Sequence, residues 1–352
     1  MFFLQCSFFS VLSSMFFLQI LRIFHAIVSS FLGSVLHSAA VLVALTLWFC
    51  LFAFVSVAQP QQNQHQQLSV WQNIYSTNGT ILGERLTVGM NAAPFPHPKR
   101  ATGHTYNGTT YPADVHYADS SVAIFLPQGC TPSAIVDVVV YLHGWYNSID
   151  SANAQFRIME QFAASKRNAL LIFPEGPKYA PDSFAGKLED SCGLQRLLRE
   201  TLDVLHRTKA IQARAGNVIL AGHSGAYRGI AYMLLRGGVP VREVWLFDAL
   251  YGHTEKFTRW IENDRKRLRG RFIAIYTDDG GTKTESEKLL EDLRAWHIPH
   301  MATTESTLTQ HDLMQSHVIA IHTDLTHNEV VARRSQFQRY LETSCLQRVR
   351  RK

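Results

Sequence analysis

The run Asn217-Val218-Ile219-Leu220-Ala221-Gly222-His223-Ser224-Gly225-Ala226 constrains this chain more than any other stretch. Residues 218–221 read as a buried strand, bounded by Gly216 and Gly222. Residues 227–235 read as a helix, with Ile230, Met233 and Leu234 at helical spacing, and it stops at Gly237-Gly238. Between strand and helix lies a near match to G-x-S-x-G, the pattern that seats a serine on a sharp strand-to-helix turn. The turn needs small neighbours because the flanking chains pass close by. Gly222 and Gly225 meet that need, and Ala226 replaces the last glycine at the cost of one methyl group. A hydroxyl presented in this way is a candidate nucleophile.

The rest of the chain alternates in the same manner. Strands are expected at 121–127 (SVAIFLP), 135–142 (IVDVVVYL), 169–173, 241–247 and 271–276, with further candidates at 299–307 and 317–323. Helices are expected at 152–164, 192–206, 257–268, 286–296 and 329–341. Residues 68–119, rich in Thr, Gly, Pro, Asn and His, read as irregular. Apolar strands alternating with helices imply an α/β fold, with a mostly parallel central sheet and helices on both faces. The working loops of such a sheet lie at the carboxyl ends of its strands. His143-Gly144-Trp145, Ser224, Asp248, Asp278-Asp279 and His327 all follow predicted strands and would gather on one edge.

Three regions follow: 1–58, an N-terminal signal peptide or membrane anchor; 59–120, an irregular segment; and 121–352, the α/β domain. No Asp, Glu, Lys or Arg occurs from Ile23 to Ala58, and residues 39–57 are apolar over a bilayer-spanning length. Ser56-Val57-Ala58 places small residues where a signal peptidase would read. The expectation is export to a secreted or periplasmic location, or tethering by the uncleaved apolar segment. The polar run QPQQNQHQQ then acts as a spacer. Beyond it, Cys130, Cys192 and Cys345 form no C-x-x-C pair, which weakens zinc and redox readings, though an oxidising compartment would let two of them join. The net charge of +6 is mild, and its clusters at 265–269 and 348–352 lack the interleaved aromatics of a nucleic-acid surface. No P-loop, no G-x-G-x-x-G after a first strand and no H-E-x-x-H occurs, so neither a cofactor nor a metal is expected.

The serine turn, the His143-Gly144 loop and the chain order Ser, Asp, His together resemble the α/β-hydrolase family, over roughly residues 121–341. The resemblance implies acyl hydrolysis through a covalent intermediate on Ser224. A serine needs a base in reach, and His327 in Leu325-Thr326-His327-Asn328-Glu329 sits where the family places it; His311, His317 and His322 are rivals. For the acid, Asp248 is preferred, because a carboxylate directly after an apolar strand needs a partner. Asp279 and Asp278 follow the next strand, the commoner family position, but Asp-Asp-Gly-Gly is also an ordinary turn. The family's oxyanion donors map onto Gly225 and onto Gly144 or Trp145. Residues 251–269 could form a small cap. The expected substrate is a small-molecule or peptide acyl compound, cleaved at an ester or amide; the competing reading is a non-catalytic binding protein of the same fold in the cell envelope.

Overall fold

The computed structural model describes residues 70–265, 270–278 and 281–349. The N-terminal segment expected to be a signal or anchor lies outside these residues, as does Asp279. No described helix is long and apolar enough to cross a membrane.

Twelve strands are described. In chain order they are β1 (Gln72–Tyr75), β2 (Ile81–Gly89), β3 (His104–Tyr106), β4 (Thr109–Tyr111), β5 (Ser121–Pro127), β6 (Ile135–Leu142), β7 (Ala169–Pro174), β8 (Arg214–His223), β9 (Glu243–Phe247), β10 (Arg271–Tyr276), β11 (Met301–Thr304) and β12 (Val318–His322). Ten of them form one sheet in the order β1-β2-β5-β7-β6-β8-β9-β10-β12-β11, and β3 and β4 make a separate hairpin. The pairs from β7 through β6, β8, β9, β10 and β12 to β11 are parallel. The pairs β1–β2, β2–β5 and β5–β7 are antiparallel.

The central strands are apolar on both faces because helices cover both. Successive residues of β6 and β8 feed opposite layers, as the two-residue period of a strand requires. Val138, Val140, Val218 and Leu220 pack with Leu194, Leu197 and Leu205 of the helix Gly193–Lys209 and with Ile230 and Met233 of Tyr227–Arg236. Val139, Tyr141, Ile219 and Ala221 pack on the other side with Phe156, Phe162 and Phe337, from the helices Ile149–Phe156, Ile158–Ala164 and Gln336–Glu342.

Several expectations change in detail. The segment read as irregular contributes β1 and β2 to the main sheet. These are edge strands of mixed polarity in which Leu86 is the buried apolar residue of β2, so no continuous apolar run marked them. The single helix expected at 152–164 is two, because Arg157 adopts a left-handed backbone (φ +52) between them. The closing helix is confined to Gln336–Glu342. The expected cap is not one: the helix Thr254–Arg265 buries Phe257 and Ile261 in the main core, with Phe257 against Phe272 of β10. Residues 266–269, the rest of that proposal, lie outside the described part. Cys130 and Cys345 are free thiols, so they are not joined to each other.

Candidate active site

β8 delivers His223 in extended conformation and Ser224 immediately after it with φ +56, and the helix Tyr227–Arg236 begins three residues later. A left-handed serine is sterically costly and persists only where the surroundings enforce it. The enforcement comes from the covered strand behind and the helix ahead.

β9 ends at Phe247, and Asp248 follows with φ +45 and no solvent exposure. Its Oδ2 lies 2.6 Å from Nδ1 of His327. The same carboxylate accepts from the Thr277 amide at 3.0 Å, from the Thr277 hydroxyl at 2.9 Å and from the Thr282 hydroxyl. Burial pushes the Asp248 carboxyl up. The hydrogen bonds from His327, Thr282 and Thr277 outweigh it and hold the group below the usual carboxylate range. An ionised Asp248 makes Nδ1 the protonated nitrogen of neutral His327 and leaves Nε2 as the basic one.

The loop carrying His327 is fixed from below. Nε2–H of His223 donates to the His327 carbonyl at 2.9 Å, and the two imidazoles lie 4.5 Å apart. His223 is buried against Phe156, with ring centroids 4.7 Å apart. Desolvation and the neighbouring His327 push its pKa down to about 3, so it stays neutral. Gln155 Nε2 holds the side chain of Asn328 at 3.2 Å.

Gly144, after β6, packs directly on the serine. A Cβ there would lie 2.5 Å from Ser224 Cβ and 3.1 Å from its Oγ, so only glycine permits this approach. The indole of Trp145 covers Gly225 so closely that a Cβ on that glycine would collide with it, and Trp145 Nε1 donates to Ser183 Oγ at 2.8 Å. Behind this loop His143 is buried, with Nδ1 2.7 Å from the Gly144 carbonyl and Nε2 2.9 Å from Glu175 Oε1. Both Glu175 oxygens lie 3.3 Å from the Ile149 amide.

The structure thus brings Ser224, Gly144, Trp145 and Gly225 together, and Asp248 with His327. It sets Asp278 apart: 61% exposed in its side chain, it pairs with Lys283 at 2.7 Å and with His322 at 3.0 Å on the surface. His311 is exposed on the helix Gln310–Gln315, and His317 bonds the Gly270 carbonyl. Sequence reasoning gave His223 no role and did not pair Glu175 with His143. Glu175 carried a usable signal, since it too is a carboxylate directly after an apolar strand. Among the described residues no group of three or more His, Cys, Asp or Glu side chains is arranged to hold a metal ion.

A mostly parallel sheet whose central strand runs into a left-handed serine, with Asp248 after the next strand and His327 after β12, is the α/β-hydrolase fold. No protein-family model matches the sequence, and no curated protein matches it. Among solved structures, the chain is similar to a ferulic acid esterase, at 13% identity over 63% of this chain and 91% of that one, with a TM-score of 0.43. Another is the fluorophosphonate-binding serine hydrolase F of Staphylococcus aureus, at 10% identity over 74% and 97%, TM-score 0.43. A third is an S-formylglutathione hydrolase from Agrobacterium tumefaciens, at 11% identity over 76% and 99%, TM-score 0.39. At these identities and scores none of them bears on the substrate, and the fold stands on strand order and loop position.

Proposed function

We propose that this protein is a serine hydrolase that cleaves an ester or amide bond through an acyl-enzyme on Ser224. The observation that carries the reading is the 2.6 Å contact between His327 Nδ1 and a fully buried Asp248, with His327 tied through its carbonyl to His223, the residue before a serine held at φ +56. Ser224 Oγ attacks the substrate carbonyl carbon as His327 Nε2 takes its proton. Asp248 orients the ring and stabilises the imidazolium. The oxyanion accepts hydrogen bonds from backbone N–H groups at Gly225 and at Gly144 or Trp145. Collapse breaks the bond to the leaving alkoxide or amine, which receives the proton from His327. Water then attacks the acyl-serine with His327 again as base, and the carboxylic acid leaves.

The apolar, charge-free residues 23–58 support action outside the cytoplasm, secreted or periplasmic, with or without a membrane tether.

The test is hydrolysis of 4-nitrophenyl esters from acetate to decanoate, beside fluorophosphonate labelling, for the wild type, Ser224→Ala and His327→Ala. Turnover and labelling that vanish together in Ser224→Ala support the reading. Labelling without ester turnover points to an amide or peptide substrate. A wild type that neither turns over nor labels removes the hydrolase reading in favour of a binding role.

A further inference from the structure

Beside the proposed oxyanion loop, aromatic side chains from three separate segments converge and face outward. Trp145 is 36% exposed, Tyr146 55% and Tyr179 46%. Tyr106 and Tyr111 come from the β3–β4 hairpin. There His104 pairs with Tyr111 and Tyr106 with Thr109, which puts both tyrosines on one face. The ring of Tyr106 meets Trp145 edge-to-face at 5.2 Å, Trp145 meets Tyr146 at 6.5 Å, and Tyr146 lies 6.4 Å from Tyr111.

The group is rigidly built. Tyr146 and Tyr179 both hold left-handed backbones, φ +55 and +53. The two loops are cross-tied, Tyr146 N–H to the Ala180 carbonyl at 3.1 Å and Tyr179 N–H to the Asn147 carbonyl at 2.8 Å. The Tyr179 hydroxyl accepts from Ser148 Oγ at 3.0 Å. Asn107 and Gly108, both with positive φ, close the hairpin as a two-residue turn. Scattered exposed aromatics are ordinary. A contiguous set, Tyr106, Trp145, Tyr146 and Tyr111, set partly on left-handed backbone and outside the two main cores, belongs to recognition.

We propose that this rim, with Tyr106 and Tyr146 as the specificity-determining residues around Trp145, binds a six-membered ring with an apolar face carried by the substrate of Ser224. The inference rests on the hydrolase reading and names its substrate class. Trp145 lies on Gly225 and Gly144 lies on Ser224, so a ring seated against the indole has its attached carbonyl at the serine. An aryl ring and a pyranose share the chemistry that fits: an apolar face, of π surface or of C–H groups, that packs on an aromatic side chain, and an edge that stays in water at an open shelf.

The experiment uses esters with no chromophoric leaving group, followed by a pH indicator: ethyl 3-phenylpropanoate, with the ring on the acyl side, the hexanoyl ester of methyl glucoside, with the ring on the alcohol side, and, without a ring, ethyl hexanoate. Wild type is expected to favour at least one ring ester about tenfold in kcat/KM, equivalent to about 1.4 kcal/mol. Tyr106→Ala and Tyr146→Ala should each erase most of that preference through KM, with a far smaller effect on ethyl hexanoate than on the favoured ring ester. Which ring ester is favoured separates the aryl from the sugar source. Equal rates on all three esters, or equal losses on all three in the variants, overturn the proposal while fluorophosphonate labelling leaves Ser224 standing. If the wild type does not label, tryptophan-fluorescence titration with 3-phenylpropanoate and methyl glucoside decides: binding weakened by Tyr106→Ala supports the ring site, and no binding of either removes it.

Discussion

The side chain of His223 donates from Nε2 to the backbone carbonyl of His327 at 2.9 Å, so the residue before the serine holds the residue proposed to deprotonate it. The contact joins β8 to the loop after β12, two segments far apart in the chain. Its consequence for stability can be signed. Burial lowers the folded-state pKa of His223 to about 3 from an ordinary 6.5. Above pH 6.5 both folded and unfolded states keep the ring neutral, and its stabilising contribution is complete. As pH falls below 6.5 the unfolded state takes up a proton that the folded state refuses, and stability drops by about 1.4 kcal/mol per pH unit for this group until its folded pKa is approached. Urea unfolding at pH 7.5, 5.5 and 4.5 should show His223→Gln losing less stability with acid than the wild type, because glutamine keeps a donor and has nothing to protonate. Parallel pH slopes for the two proteins would contradict this.

Asp248→Asn should cost about 10⁴ in kcat, because an amide donates where a carboxylate accepted and favours the wrong tautomer of His327. Asp278→Asn, which alters an exposed surface pair, should remain within about twofold of the wild type, as exposed ion pairs contribute little. Steady-state kinetics on a 4-nitrophenyl ester reads both. A large loss in Asp278→Asn would refute the assignment of the acid.

Gly144→Ala places a methyl 2.5 Å from Ser224 Cβ, which sits on rigid backbone and cannot swing away. The loop must move, and misaimed oxyanion donors should lower kcat about 10²-fold, the scale of losing one such donor. Circular dichroism should show the fold intact, and KM should change far less than kcat.

Glu175→Leu leaves the buried His143 Nε2 and the Ile149 amide without their carboxylate partner. A loss of about 1–3 kcal/mol in unfolding free energy is expected, the cost of stranding a buried polar group. Denaturant titration measures it, and a midpoint within error of the wild type would show that the pair contributes little.

Much of the architecture was legible along the chain. β6 is described over the residues that its β-branched run indicated, and β8, β9 and β10 fall where apolar segments predicted them. These are central strands, covered on both sides, so each advertises itself with a continuous apolar stretch. Edge strands do not: β2 alternates exposed, intermediate and buried residues, and its partner β1 is mostly exposed. The break at Arg157 was equally hidden, because Phe156 and Phe162 keep apolar residues on either side of it and only the backbone angle changes.

By itself, the sequence determined the serine turn, the strand–helix alternation and the placing of candidate acids and bases after strands. Those depend on local periodicity and on small residues at a tight turn, which neighbouring positions carry. The tertiary structure alone decided that His327 meets Asp248 and not Asp278, that His223 stacks beneath His327, that Glu175 backs His143, and that Tyr106 meets Trp145. Each of these contacts joins loops or strands separated by tens of residues. Which side chain reaches which is fixed by sheet order and by the desolvation of buried polar groups, and neither is written in any one stretch of the chain.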